Sequence, residues 1–474
     1  MVRTLTPDLC VIGAGSGGLS VAAGASQMGA SVVLIEEAKM GGDCLNYGCV
    51  PSKALLAAGR AARAVREARR FGVLADGHGV DARRVFGRVR DVIAAIAPHD
   101  SVERFEGLGV TVIKARARFV GEREVEAADA RVRARRFVIA TGSRPFVPPI
   151  PGLADVPYDT NETVFDADRI PEHLVVIGGG PIGVEMAQAH RDLGARVTVL
   201  ELLTVLPNDD PELAGVVKTQ LLKDGIDIRE GVNIVRVETG ADGIACVLGG
   251  DGAERRVVGS RLLVAAGRRA AVGDMGLEAA GVAYSAKGIE VDSRLRTSNR
   301  RVFAVGDAAG GHQFTHLAGY HAGVVIKNAL FRIPARADVR CLPWVTYTRP
   351  ELAQVGLTEA RAREEDPNLR VLRWPFHDND RAQTDGAVDG LVKATATKKG
   401  RILGCGIVGA HAGELIQTWA LAMSRKLGIG ALAAFIAPYP TFGEASKRAA
   451  GSFYAPTLFG ERTRKLVRLL ARLG

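Results

Sequence analysis

The chain has 474 residues, 47% hydrophobic and 24% charged, enough to bury a sizeable core in two to four domains without disulfide or metal staples. Its formal charge is +10, yet arginine runs such as RAARAVREARR (60–70) and RVRARR (131–136) accompany no nucleic-acid recognition module and read as solvated faces, so nucleic acid is not an expected partner. Six cysteines, four of them far apart (Cys10, Cys246, Cys341, Cys405), argue against a secreted disulfide framework, and with no signal-peptide region and no apolar run near the roughly 18 residues of a membrane span, a soluble cytoplasmic protein is expected.

The first element is LCVIGAGSGGLSVAAGASQMGASVVLIE (9–36). A short apolar strand enters a turn carrying Gly13, Gly15 and Gly18, a helix of small residues follows, and a second apolar strand ends at Glu36. Such a turn lets a pyrophosphate approach the backbone at a helix N-terminus, and Glu36 stands where a carboxylate accepts from ribose hydroxyls. One dinucleotide is therefore expected here. The stretch GGDCLNYGCVPSK (41–53) comes next, with Cys44 and Cys49 five positions apart. Structural zinc needs four ligands, and no second cysteine pair or histidine cluster stands nearby. Catalytic chemistry beside the bound dinucleotide is the better reading. Five residues along an ideal helix separate Cα atoms by about 8–9 Å, beyond the roughly 7 Å reach of a disulfide, so Asn46 and Gly48 are expected to distort the segment if the pair is to close.

The same grammar returns in LVVIGGGPIGVEMAQAHRDLGARVTVLE (174–201), with Gly178, Gly180 and Gly183 in the turn and Glu201 ending the second strand. Two such units imply two dinucleotides. A carboxylate at Glu201 favours free ribose hydroxyls over a 2′-phosphate, and LLTVLP after it holds no arginine, so NAD(H) is expected rather than NADP(H). At the far end, ERTRKLVRLLARLG (461–474) places Leu466, Leu469, Leu470 and Leu473 on one helical face. It reads as a helix packed on its own domain or on a partner subunit, with a membrane-surface helix as the alternative.

The cysteine segment resembles the redox-active disulfide segment of the flavin-dependent pyridine nucleotide–disulfide oxidoreductases, a family that includes dihydrolipoamide dehydrogenase, glutathione reductase and mercuric reductase. The resemblance runs along nearly the whole chain. ATGSRP (140–145), with Thr141, Gly142 and Ser143, resembles the family's exit from the flavin domain; VAAGRRA (264–270), with Gly267, its closure of the nicotinamide domain. VFAVGDAAG (302–310) resembles the second flavin contact, where Asp307 would bind the ribityl chain, and Gln313 to His316 would line the flavin. LPWVTYTRPELAQVGLTEARA (342–362) looks like the opening of the dimerisation domain.

The resemblance implies an α/β fold with two Rossmann-like domains, for FAD and NAD, and a C-terminal α/β dimerisation domain. It places the FAD domain at 1–148 and 272–341, the NAD domain at 149–271 and the interface domain at 342–474. Electrons would pass from NADH through FAD to a Cys44–Cys49 disulfide, with Cys49 nearest the flavin and Cys44 meeting substrate. Lys53 would pair with Glu185 near the flavin's reactive nitrogen. A homodimer is implied, in which residues of one interface domain reach the partner subunit's Cys44.

One departure matters chemically. Thiol reductases of this family carry a histidine–glutamate dyad in a stretch reading HPTxxE, and this chain has APYPTFGE (437–444). Glu444 is kept; Tyr439 occupies the histidine position. A phenol titrating near pH 10 is a poor base at neutrality, where an imidazole titrating near pH 6.5 is a good one. Mercuric reductases also carry tyrosine in that stretch, but their C-terminal vicinal cysteines, N-terminal metal-binding module and NADPH preference have no counterpart here. The expected activity is therefore an NAD(H)- and FAD-dependent disulfide oxidoreductase of the dihydrolipoamide dehydrogenase type, acting on a small disulfide or dithiol. Alternatives are reduction of a soft metal ion or another small acceptor, and a low-turnover redox sensor or membrane-protein partner. PSKALL (51–56) also favours the dihydrolipoamide dehydrogenase type.

Overall fold

The computed structural model describes residues 3–75, 79–249 and 255–473. Residues up to Leu200 together with Val232–Asp338 group into one compact unit, and Glu201–Gly231 with Val339 onward into another.

The first unit holds two parallel sheets. One runs Val302–Ala304, Arg136–Ile139, Leu9–Ile12, Val32–Glu36 and Val110–Lys114 in spatial order. Leu9 registers with both Val32 and Arg136, and Phe137 with Val302. Strands of such a sheet are covered on both faces, which is why LCVI and VVLIE read as unbroken apolar runs and are buried throughout. Chain segments 9–36, 136–139 and 302–304 thus meet in one sheet. The helix Ser16–Gln27 covers it and packs on Thr315–Ala329. Its small residues are a condition of that approach: a Cβ on Gly24 would lie 2.7 Å from Ile326 Cδ1. The second parallel sheet sets Arg196–Leu200, His173–Ile177 and Arg261–Val264 side by side, with Pro181–Asp192 as the crossover helix. An antiparallel three-stranded sheet, Ile234–Gly240, Gly243–Leu248 and Arg255–Gly259, is inserted before the last of these strands.

The second unit is built on an antiparallel sheet in the order Pro343–Thr346, Glu351–Gly356, Ile402–Gly409, Leu391–Ala396, Arg370–Pro375. The helices Ala412–Ser424 and Gly443–Ser452 share one apolar cluster with its strands. Trp419 lies at its centre, fully buried, with its Nε1 donating to Ser446 Oγ at 3.1 Å. The last helix, Glu461–Leu470, buries no residue at all. The expectation that it packs on its own domain is therefore corrected: its leucine face is open in this chain. Among the described residues, no helix is long and apolar enough to cross a membrane.

Candidate active site

Both expected dinucleotide turns are formed in the first unit. Gly13 has φ +103°, and a Cβ on Gly18 would stand 1.8 Å from the Gly13 carbonyl oxygen, so this turn closes only on glycine. Around Gly15, the N-cap of Ser16–Gln27, only Gly42 Cα would come within 4 Å of an added Cβ, at 3.9 Å. That leaves a bare backbone cradle at a helix N-terminus, the form a pyrophosphate fits. The buried Glu36 carboxylate accepts from Ala14 N at 2.5 Å and Ala38 N at 2.6 Å, fixing it at the strand end. The second turn repeats the construction. A Cβ on Gly183 would meet the Gly178 carbonyl oxygen at 2.0 Å, while Gly180 has nothing within 4 Å. Glu201 follows the strand Arg196–Leu200 directly, and its carboxylate accepts from Leu203 N at 2.8 Å.

The cysteines sit where a helix is broken. Gly42–Asn46 forms one short helix carrying Cys44, the chain leaves helical geometry at Tyr47 and Gly48, and Cys49 opens the helix Cys49–Glu67. Asn46 Nδ2 donates to the carbonyls of Met40 (2.9 Å) and Gly42 (2.8 Å), pinning the break from inside. The distortion expected at Asn46 and Gly48 is therefore present. Both cysteines are free thiols, Cys44 half-buried and Cys49 exposed, and they hydrogen-bond one another.

That bond polarises the pair. The Cys49 thiol is lowered to about 6, first because Cys44 donates to it; burial opposes this, while the Thr315 hydroxyl at 3.4 Å and the Lys53 charge assist. Cys44 is pushed up for the complementary reason, its proton being held by Cys49, with burial adding. Cys49 is also the first residue of a 19-residue helix, whose positive end favours a thiolate. Lys53, one turn further on, places Nζ 2.8 Å from Glu185 Oε2. Glu185 is buried on Pro181–Asp192. The two helices approach closely at Gly59, where a Cβ would meet Asp192 Cβ at 3.1 Å.

A second chain of contacts reaches the other expected flavin residues. Ser143 Oγ donates to Asp307 Oδ2 at 2.6 Å, and Arg268 donates to Ser143 Oγ (2.8 Å) and O (2.9 Å). The same guanidinium stands 3.1 Å from Asp43, the residue beside Cys44. Burial raises Asp307, against the Ser143 bond and the Arg268 charge. Asn161 Nδ2 holds Asp43 (3.1 Å) and the Tyr47 carbonyl (3.2 Å). His321 Nδ1 accepts from Gly306 N at 3.2 Å, burial lowering its pKa, so a neutral imidazole supports the Asp307 turn. Thr141 Oγ1 donates to Ala271 O at 2.7 Å; Gly142 (φ +69°) and Gly267 (φ +111°) have nothing within 4 Å of an added Cβ. Gln313 is half-buried, and His316 is exposed and stacked on Phe314, not a core histidine.

Arg268, Asp43, Asn161 and His321 were not singled out from the sequence, and Thr315 was included only in the stretch Gln313 to His316 expected along the flavin, not as a partner of Cys49. Arg268 and Asp43 adjoin the motif residues Gly267 and Cys44, so adjacency was a usable signal; Asn161 and His321 carry none.

Tyr439 and Glu444 lie in the second unit. Tyr439 is exposed, its hydroxyl donates to Asp380 Oδ2 at 2.9 Å, and that bond pushes the phenol further up. Glu444 is half-buried in the first turn of Gly443–Ser452. His411, 28 residues upstream in sequence, folds back so that its ring lies 5.3 Å from that of Phe442.

Comparison with known proteins agrees with this geometry. The pattern of the family "Pyridine nucleotide-disulphide oxidoreductase" matches residues 7–322, and that of its dimerisation domain residues 342–450. A dihydrolipoyl dehydrogenase of Thermus scotoductus is 36% identical over 457 residues, covering 95% of this chain and 98% of the relative. A mercuric reductase of Bacillus cereus is 33% identical over 449 residues, covering 94% of this chain and 71% of the relative. Among solved structures, the Cu(II) complex of the HOCl-induced flavoprotein disulfide reductase RclA from Escherichia coli superposes with a TM-score of 0.85 at 26% identity, covering 94% of this chain and 99% of that one. With both family regions matched in order along one chain, the protein belongs to the pyridine nucleotide-disulphide oxidoreductases, which are FAD-dependent, use NAD(P)H and carry a C-terminal dimerisation domain.

Proposed function

We propose that the protein is an NADH-dependent flavin disulfide oxidoreductase of the dihydrolipoamide dehydrogenase type, working through Cys44 and Cys49. The observation that carries this reading is the geometry of the pair: Cys44 and Cys49 lie on either side of a helix break, with Cys49 opening a 19-residue helix, Thr315 Oγ1 3.4 Å from its sulfur and the Lys53–Glu185 ion pair one turn on, an arrangement that lowers the Cys49 thiol and raises that of Cys44. FAD, when bound, supplies two-electron exchange between nicotinamide and the cysteines. Gly13, Gly15, Gly18, Glu36, Thr141, Gly142, Ser143, Asp307, Gln313 and His316 are the residues proposed to hold it. Gly178, Gly180, Gly183, Glu201 and Gly267 are proposed for NADH, with Glu201 on the ribose hydroxyls.

The protein's own groups then have distinct tasks. Lys53 and Thr315 stabilise charge on Cys49. Glu185 fixes the Lys53 ammonium at 2.8 Å, so that its charge is held in place. Arg268 neutralises Asp43, whose negative charge opposes a thiolate at Cys49. In exchange with a substrate disulfide, Cys44 sulfur attacks one substrate sulfur and the other leaves as a thiolate. Cys49 then displaces the first, closing Cys44–Cys49; two electrons and the Cys44 proton pass to the substrate, and solvent supplies the second proton.

That exchange asks for a base to take the Cys44 proton, and Tyr439 is a poor one. A second reading follows: the acceptor is a soft metal ion, one Hg(II) or two Cu(II), taken up by the sulfurs as the Cys44 proton leaves to water and reduced by the pair's two electrons as Cys44–Cys49 closes, so that no proton has to be delivered to a leaving thiolate. The tyrosine supports it, as does the likeness to a disulfide reductase solved with Cu(II). The domain division 1–148, 149–271, 272–341 and 342–474 is retained as part of the proposal.

Anaerobic titration with NADH tests both readings. One equivalent per subunit should expose two titratable thiols, lost in Cys44→Ala, with the flavin left oxidised, and only a second equivalent should bleach the flavin. Reoxidation is then followed with lipoamide, Cu(II) and Hg(II). Unchanged thiol number after NADH sinks the proposal, and reoxidation by lipoamide alone sinks the metal reading.

A further inference from the structure

The helix Glu461–Leu470 stands apart from everything used above. It lies past residue 450, where the match to the dimerisation domain stops. Every residue from 461 to 473 is exposed except Thr463, which is half-buried. Leu466 and Leu470 are each 53% exposed and Leu473 is 78% exposed. An apolar helix face left in water is unfavourable, and covering it removes that cost.

The pattern around the helix says what would cover it. At about 100° per residue, Leu466, Leu469 and Leu470 share one side of the helix, Val467 extends its edge, and Leu473 follows just past its end. Arg464 and Arg468 stand four residues apart on the opposite side, with Lys465 at the flank of the leucine face and Arg462 at its N-terminal edge. Five basic residues over 461–473 face a single acid, Glu461. A covering surface must therefore be apolar in the middle and anionic around it. The same stretch of a second copy is a poor match, since it brings the same five cations against these five. Nucleic acid offers the charge but no place for the leucines. An anionic lipid surface offers both: acyl chains for the leucine face, headgroups for Arg462 and Lys465 at its edges, and a negative field that reaches Arg464 and Arg468 behind it.

We propose that Glu461–Leu470 is a membrane-surface helix that lies in the headgroup region of an anionic bilayer and holds the enzyme there without spanning it. This goes beyond the redox reading and does not depend on it.

The test is co-sedimentation of the full-length holoenzyme with phosphatidylcholine vesicles, with and without added phosphatidylglycerol. Partition onto the anionic vesicles should exceed that onto the neutral ones at least tenfold and should fall at high salt. It should be lost in Leu466→Asp/Leu470→Asp and in Arg464→Glu/Arg468→Glu, while both variants keep wild-type flavin content and NADH oxidation in solution. Equal pelleting with both vesicle types, or pelleting unchanged in the two variants, overturns the proposal. So does light scattering in which a variant ending at Gly460 turns a dimer into monomers, because the leucine face would then belong to a second copy.

Discussion

Cys49 is set apart from the other five cysteines by its neighbours. Cys10, Cys246 and Cys405 are buried among apolar side chains, and burial alone drives their thiols up, Cys246 to about 12. Cys49 starts a helix, accepts from Cys44 and faces the Lys53 charge. In the reduced protein, therefore, one thiol should alkylate as a thiolate with a half-rise near pH 6, about two units or more below an ordinary cysteine. The largest cause is the bond from Cys44, so Cys44→Ala should move the half-rise upward; Lys53→Met should move it the same way by less. A midpoint of about 8 in the wild type would mean that the polarised pair does not exist in solution. The sequence disclosed the pair and its spacing, since glycines and an asparagine around two cysteines already signal a broken helix. It put Thr315 within the stretch expected along the flavin but did not disclose its contact with Cys49, 266 positions away, because nothing local marks a hydroxyl that a distant helix N-terminus will present.

The loop that follows Glu201 shows what an element can hide from a pattern reading. Asp210 caps the helix Pro211–Lys223 through Glu212 N, and both its oxygens are held at 2.8 Å by Lys393. Lys393 is a buried lysine in the strand Leu391–Ala396, and it also reaches Glu212 (2.8 Å) and Glu359 (2.9 Å). A lysine inside a strand reads as a solvent-facing position, so neither its burial nor its three carboxylates were legible. Beside it, Asp209 accepts from Trp344 Nε1 at 2.7 Å, yet burial raises its carboxyl to about 6, with the Asp210 charge adding. An acid whose folded pKa is raised binds its proton more tightly in the folded state. Its contribution is thus best below the ordinary value near 4 and is lost as pH rises through about 6. Asp209→Asn keeps the oxygen that Trp344 needs and removes the charge. It should stabilise the urea transition by about 1–2 kcal/mol at about pH 7.5, with the gain shrinking toward pH 4. A gain independent of pH would assign the effect to something other than this carboxyl.

Across the whole molecule, the parts most legible were those where backbone geometry forces residue choice. Each dinucleotide turn needs glycine because a Cβ would run into a carbonyl oxygen about 2 Å away, and each parallel strand must be apolar on both faces. The grouping of Glu201–Gly231 with the antiparallel sheet was not legible, because it rests on side chains such as Lys393 and Trp344 that no motif records. Tyr439 poses the remaining question at this scale, since the family resemblance has it serving the partner subunit's Cys44. Tyr439→His restores an imidazole that titrates near pH 6.5, and dihydrolipoamide oxidation by NAD should rise at least tenfold, with a new limb in the pH profile near that value. A mixed dimer then separates the two arrangements. One chain carries both Cys44→Ala and Tyr439→His, and the other is wild type. If the imidazole serves across the interface, the single intact cysteine pair faces the introduced base, and the mixed dimer should show about half the rate of the Tyr439→His homodimer. If each chain serves its own cysteines, the intact pair faces a tyrosine, and the rate should be about half that of the wild-type dimer.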